Sequence, residues 1–125
     1  EKMEIESPND KLMNRIMKVI NGNLSNPNLT VEMIANEVGT SRVHLNRKLK
    51  ELTNQTAREF IKNCRLKQAA ELLSQKKQNI TEIAELTGFN NPNNFSTAFK
   101  ELFGVSPSAY KEYLDTKKEN EETQS

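Results

Sequence analysis

Apolar residues in this chain recur at helical spacing, and nowhere do they alternate as a half-buried strand requires. Ser7-Pro8 suits an N-cap and a first helical position, Leu12, Met13, Ile16, Val19 and Ile20 follow in helical phase, and Gly22 supplies a stop. Residues 23–28, NLSNPN, are rich in turn formers. Thr30 caps a short helix striped by Met33, Ile34, Ala35 and Val38, and Gly39 closes it where a positive φ is needed. Ser41 caps the next helix. Its Leu45, Leu49 and Leu52 fall within about 60° of one another, at roughly 100° per residue. Val43, Arg47 and Lys50 lie opposite, with Asn46 flanking.

Thr56 opens a longer helix, from Ala57 to about Gln75, whose apolar face rotates. Ala57, Phe60, Ile61 and Cys64 define one side, while Leu66, Ala69, Ala70 and Leu73 define another turned well away from it. A helix packed on one body keeps one stripe, so this one is expected to serve two. After a polar loop, Asn79 or Thr81 starts a short helix carrying Ile83, Ala84 and Leu86, ended by Gly88. Asn91-Pro92 starts another, with Phe95, Ala98, Phe99, Leu102 and Phe103 inward and Gly104 at its end. Ser106-Pro107 opens a last helix with Tyr110, Tyr113 and Leu114. From Asp115 onward no apolar residue remains, and fraying is expected.

Part of this pattern occurs twice. Ile34-Ala35 and Gly39 correspond to Ile83-Ala84 and Gly88 at a shift of 49. Leu45, Leu49, Lys50, Glu51 and Leu52 correspond to Phe95, Phe99, Lys100, Glu101 and Leu102 at a shift of 50. Ser106 then falls opposite Thr56. A small Ala where two helices approach, a turn Gly and a second helix with one buried side make a helix-turn-helix. The reading is therefore an all-α chain of about seven helices, two helix-turn-helix lobes joined by a long linker helix. Residues 1–10 form an acidic N-terminal segment, 11–55 the first lobe, 56–76 the linker helix, 77–114 the second lobe and 115–125 a disordered tail.

The second helix of such a unit offers its outer side to the major groove, which is wide enough to admit it. By phase, Val43, Asn46, Arg47 and Lys50 correspond to Asn93, Ser96, Thr97 and Lys100. Arg can read guanine, Asn adenine, and Val can touch a thymine methyl. Lys48, Arg58, Lys62, Arg65, Lys76 and Lys77 are candidates for phosphate neutralisation. The alternative is a helical protein-interaction module in which the hairpins simply repeat.

Charge bears on that choice. The formal net charge of the 125 residues is only +1, but it is segregated. Residues 1–10 hold four acids and one Lys, and residues 112–125 hold five acids and two Lys. Residues 11–111 hold 15 Lys and Arg against 8 Asp and Glu, a net of +7. A basic middle suits an anionic partner. The rest of the composition excludes more than it suggests. One cysteine, Cys64, allows no internal disulfide and reads as a small core residue. A lone histidine, His44, makes no metal site. No apolar run approaches the ~18 residues of a membrane span, and no nucleotide loop or nucleophile motif is present. No cofactor is called for, and the fragment reads as a soluble, cytoplasmic, non-catalytic one. The chain begins at Glu1 rather than Met, as expected of a piece of a longer protein.

With these residues in hand, the chain resembles the AraC/XylS family DNA-binding domain. The segments LTVEMIANEVGTSRVHLNRKLKELT, RLKQAAELL and ITEIAELTGFNNPNNFSTAFKELFGVSPSAY carry the likeness, across Leu29 to Tyr110. The resemblance implies two recognition helices entering adjacent major-groove segments about 34 Å apart. It places base contacts at Val43, Asn46 and Arg47 and at Asn93, Ser96 and Thr97. Pro92 also falls at a base-reading position of the family but has no donor. Backbone contacts are expected from Ser41, Arg42, His44, Lys50, Asn91, Asn94 and Lys100. Asn54 stands where the family usually has Gly, and Thr97 where an Arg is common. The first helix and its loop look most like the output domain of hybrid two-component regulators, whose parent chain could contain a histidine kinase and be membrane-anchored. The resemblance further implies double-stranded DNA and RNA polymerase as partners, dimerisation through regions outside this fragment and no membrane contact by this domain.

Overall fold

The computed structural model of the chain describes residues 6–123, with side chains described as far as Lys117. The first half of the acidic segment and the last two residues of the expected tail lie outside the described residues. Among those described there are seven α-helices and no strand: α1 Pro8–Asn21, α2 Val31–Val38, α3 Arg42–Thr53, α4 Ala57–Gln75, α5 Ile80–Leu86, α6 Pro92–Phe103 and α7 Pro107–Thr123. None is long and apolar enough to cross a membrane.

Side-chain caps set most of the helix starts, each satisfying a backbone N–H that has no partner inside the helix. Ser7 caps α1 in a capping box with Asp10, Thr30 caps α2 and Ser41 caps α3. The start of α5, open between two residues in the sequence, is Asn79, whose carboxamide and Glu82 form a second capping box. Asn91 caps α6, accepting from the N–H groups of Asn93 and Asn94. The stops are equally local. Gly39 ends α2 at φ +76° and Asn54 ends α3 at φ +59°, the left-handed region that glycine, and more rarely asparagine, adopts. Gly22 ends α1 differently, in a right-handed conformation at φ −75°, with Asn23 Nδ2 donating to the Val19 carbonyl at 2.8 Å.

The chain divides into two compact units, residues 1–62 and 63–125, with the division inside α4. In the first unit α1 packs on α2 and α2 on α3. Its buried apolar residues are Ile16 and Ile20 of α1, Ile34, Ala35 and Val38 of α2, Leu45 and Leu49 of α3, and Ala57 and Ile61 of α4. In the second unit Leu66, Ala69, Ala70 and Leu73 of α4 join Ile83, Ala84, Phe95 and Phe99 in one cluster. The rotating face of α4 is therefore real, each half burying its own side chains.

Phe99 is the hub of the second cluster, with Phe95, Phe103 and Tyr110 rings at centroid distances of 5.9, 4.5 and 5.6 Å. Such tilted and edge-on pairs add roughly 0.5–1.5 kcal/mol each beyond burial. Two departures from the pattern are clear. The last helix continues to Thr123 instead of ending near Leu114, and Asp115, where fraying was expected to begin, pairs with Lys76. Lys76 itself adopts φ +58° just after the end of α4. For the core, Phe99→Ala is expected to cost about 3–5 kcal/mol, and Leu102→Ala, on the half-open side of α6, under about 1.5 kcal/mol. Urea midpoints at constant slope check the difference.

Candidate nucleic-acid interface

Helix α3 is held from one side. Leu45 and Leu49, one turn apart, are fully buried. Opposite them Val43, Arg47 and Lys50 are exposed, as is Arg42 at the start of the helix, and Val43 stands 73% open to solvent. An aliphatic side chain that open on a helix whose inner face is closed is notable, because nothing in the first unit covers it. Helix α6 repeats the arrangement. Phe95 and Phe99 are fully buried, while Asn93, Asn94, Thr97 and Lys100 are exposed.

The expected contact residues are not all equally free. Arg47 and Lys50 point away from the buried pair and are exposed. Arg47 Nη2 lies 3.4 Å from His44 Nδ1, so the ring holds the guanidinium loosely along the helix. Arg42 pairs with Glu32 at 3.6 Å across two exposed side chains, a pairing weak enough to be exchanged for phosphate. The Ser41 hydroxyl oxygen accepts from the His44 N–H at 3.1 Å, and Asn91 Oδ1 accepts from the Asn93 N–H at 2.8 Å, so both act first as caps. Ser96 is half-buried. Asn46 is half-buried too, and its Oδ1 accepts from the Ala57 N–H at 3.0 Å, an engagement that the sequence reading missed.

Arg65 is a correction. Read as a phosphate ligand, it is 6% exposed, and its Nη1 donates to the Thr87 carbonyl at 3.0 Å. Burial pushes its guanidinium below the usual arginine value, yet arginine remains charged at neutral pH. It therefore caps the C-terminal end of α5, where the helix dipole favours a cation. Thr87 is fully buried, with its hydroxyl donating to the Ile83 and Ala84 carbonyls. Arg65 thereby fixes the turn before α6 from inside. Lys48 is partly engaged as well, donating to Asn9 Oδ1 at 3.3 Å and lying 3.9 Å from Glu51. Burial also pushes the Cys64 thiol up, so it is no reactive thiolate.

The electrostatics favour an anion at the two exposed helices. Of the other five helices, four carry an acid in the first turn: Asp10, Glu32, Glu59 and Glu82. Neither α3 nor α6 carries one. Their ends are capped by the neutral side chains of Ser41 and Asn91, and no carboxylate offsets the positive dipole there, which suits phosphate. No group of His, Cys, Asp and Glu that could hold a metal is found among the described residues. Arg65→Ala is expected to cost about 1.5–3 kcal/mol of stability while leaving the salt dependence of DNA binding unchanged. Loss of a phosphate contact would instead lower the salt slope by about 1. Thermal melts and binding titrations at several salt concentrations separate the two.

Comparisons with known proteins agree with this geometry. Residues 34–113 match the family model described as a helix-turn-helix domain. The probable transcription factor PqrA of Proteus vulgaris is 32% identical over 82% of this chain and 85% of its own length. Histidine kinase P4 of Formosa agariphila is 39% identical over 85% of this chain, which spans only 8% of that kinase. Among solved structures, the C-terminal domain of AraT, a response regulator from Geobacillus stearothermophilus, superposes with a TM-score of 0.76 at 34% identity, covering 86% of this chain and 88% of that one. The chain belongs to the AraC/XylS family of helix-turn-helix DNA-binding domains.

Proposed function

We propose that this domain regulates transcription by reading double-stranded DNA, with α3 as the principal reader and α6 as the weaker one. The observation that carries this reading is the repeated design of the two helices. Each has a fully buried pair one turn apart and an outer face left exposed. On α3, Arg47 offers two donors to a guanine edge and Val43 an apolar surface to a thymine methyl. Lys50, Arg42, Ser41 and His44 contact the phosphates. On α6, Asn93, Ser96 and Thr97 face the bases and Asn91, Asn94 and Lys100 the backbone, a set with a single cation. Pro92 has no donor, which further weakens base readout there.

The intact parent is a longer regulator. Histidine kinase P4, of which this chain spans 8%, supports a hybrid two-component protein with this domain at the output end. RNA polymerase is then its second partner, and dimerisation falls to regions outside residues 1–125. Deleting residues 29–110 from such a parent is expected to abolish promoter control and leave autophosphorylation intact. Reporter and phosphotransfer assays check this.

Selection from random DNA followed by footprinting tests DNA reading directly. Protection is expected over about two helical turns, with binding that weakens steeply as salt rises. No retardation at low salt would refute the reading. Arg47→Ala is expected to cost about 1–3 kcal/mol and to relax specificity at one base pair, and Thr97→Ala less than about 1 kcal/mol. Equal loss by Arg47→Ala on selected and random DNA would make Arg47 a phosphate contact instead.

A further inference from the structure

The two lobes solve one local problem in different ways. The helix after each recognition helix begins with a buried residue. In the first lobe this is Ala57, which is fully buried and carries an N–H without a partner inside α4. The cap residue does not supply one, because Thr56 Oγ1 accepts from the Glu59 N–H at 3.1 Å. Asn46 does, accepting from Ala57 at 3.0 Å. In the second lobe the residue at the corresponding position, 50 further on, is Pro107, also fully buried, and proline has no N–H. The cap is repeated, since Ser106 Oγ accepts from the Ala109 N–H at 3.2 Å. The carboxamide is not repeated: Ser96 stands in the place of Asn46. The long acceptor is thus present where a buried donor needs it and absent where the donor is absent.

We propose that Asn46 is a positioning residue, a clamp that sets the start of α4 against the recognition helix, and that it does not select a base. Bidentate reading of adenine uses both ends of the carboxamide, and here Oδ1 is held from inside the first unit. Asn46 fixes the angle at which Arg47 and Val43 are offered to DNA. This role rests on the DNA-binding reading of α3, but the clamp itself can be measured without DNA.

The test is a double-mutant cycle of Asn46→Ala and Ala57→Pro. Affinities are measured on the selected site and all its single-base variants, at a temperature where circular dichroism shows every variant folded. Asn46→Ala is expected to weaken all sites by a similar factor, about tenfold, because the recognition helix is no longer held at one angle to α4. The base-preference profile stays as in wild type. Ala57→Pro alone stays within about twofold, since proline suits a first helical position. In the Ala57→Pro background the Asn46→Ala loss shrinks to within about twofold. A preference altered at one base pair without rescue by proline overturns the proposal, and so does an Asn46→Ala variant that behaves as wild type. If Ala57→Pro does not fold, Asn46→Asp decides: it keeps the acceptor oxygen and is expected to melt within about a degree of wild type, whereas Asn46→Ala melts several degrees lower. Equal melting of the Asp and Ala variants overturns the clamp. Failure of the wild-type chain to bind any DNA would refute the DNA reading alone, and the melting comparison would still judge the clamp.

Discussion

Everything at the candidate interface depends on holding a helix firmly from one side only. Leu45 and Leu49 in α3, and Phe95 and Phe99 in α6, are the residues that do so. Two fully buried side chains one turn apart fix both the rotation of a helix about its axis and its distance from the core, because the packed interior resists displacement. With those two degrees of freedom set, the opposite face needs no contact within its unit. It can be polar, and it can expose an aliphatic residue such as Val43.

The lobes reach that state with different materials. The first relies on aliphatic residues and a small Ala35 under the turn. The second packs Phe89, Phe95, Phe99, Phe103 and Tyr110 ring against ring, with centroid distances between 4.5 and 6.0 Å. Large aromatic rings fill a site with few side chains, which suits a short helix such as α5 with little apolar surface of its own. Arg65 adds a buried charge-assisted bond to the turn before α6. In the first lobe Arg47 and Lys50 stand exposed on the outer face of α3.

Most of the fold was legible in the sequence because its punctuation is local. Caps such as Ser41 and Asn91, and stops such as Gly39 and Asn54, act within four residues of themselves, so their chemistry can be read without knowing the fold. The rotation of the apolar face of α4 was legible for the same reason. What could not be read depends on distant neighbours. Arg65 carries a charge, and a charge in a sequence reads as surface. The Thr87 carbonyl, 22 residues away, is what the buried guanidinium meets. The length of α7 was missed because an apolar pattern says where packing ends, while a polar helix can continue beyond it. Asn46 was missed as an acceptor because its partner is 11 residues on, in the next helix.

A residue that faces outward by phase need not be free to bind. Helical phase places Asn46 beside Arg47, and the same phase places Ser96 beside Thr97, yet the two helices that follow begin differently. Where the chain supplies proline, covalent geometry removes the buried donor and fixes φ, so nothing on the recognition helix is needed to complete the junction. Where it supplies alanine, a side chain from the recognition helix must complete it. That side chain couples the outer face to the packing beneath, and a substitution there acts on both. The second lobe begins α7 with Pro107 and so has no N–H at that junction for position 96 to satisfy. The first lobe gains a recognition helix tied to α4 at the level of Arg47, and the cost is a carboxamide oxygen withdrawn from the groove.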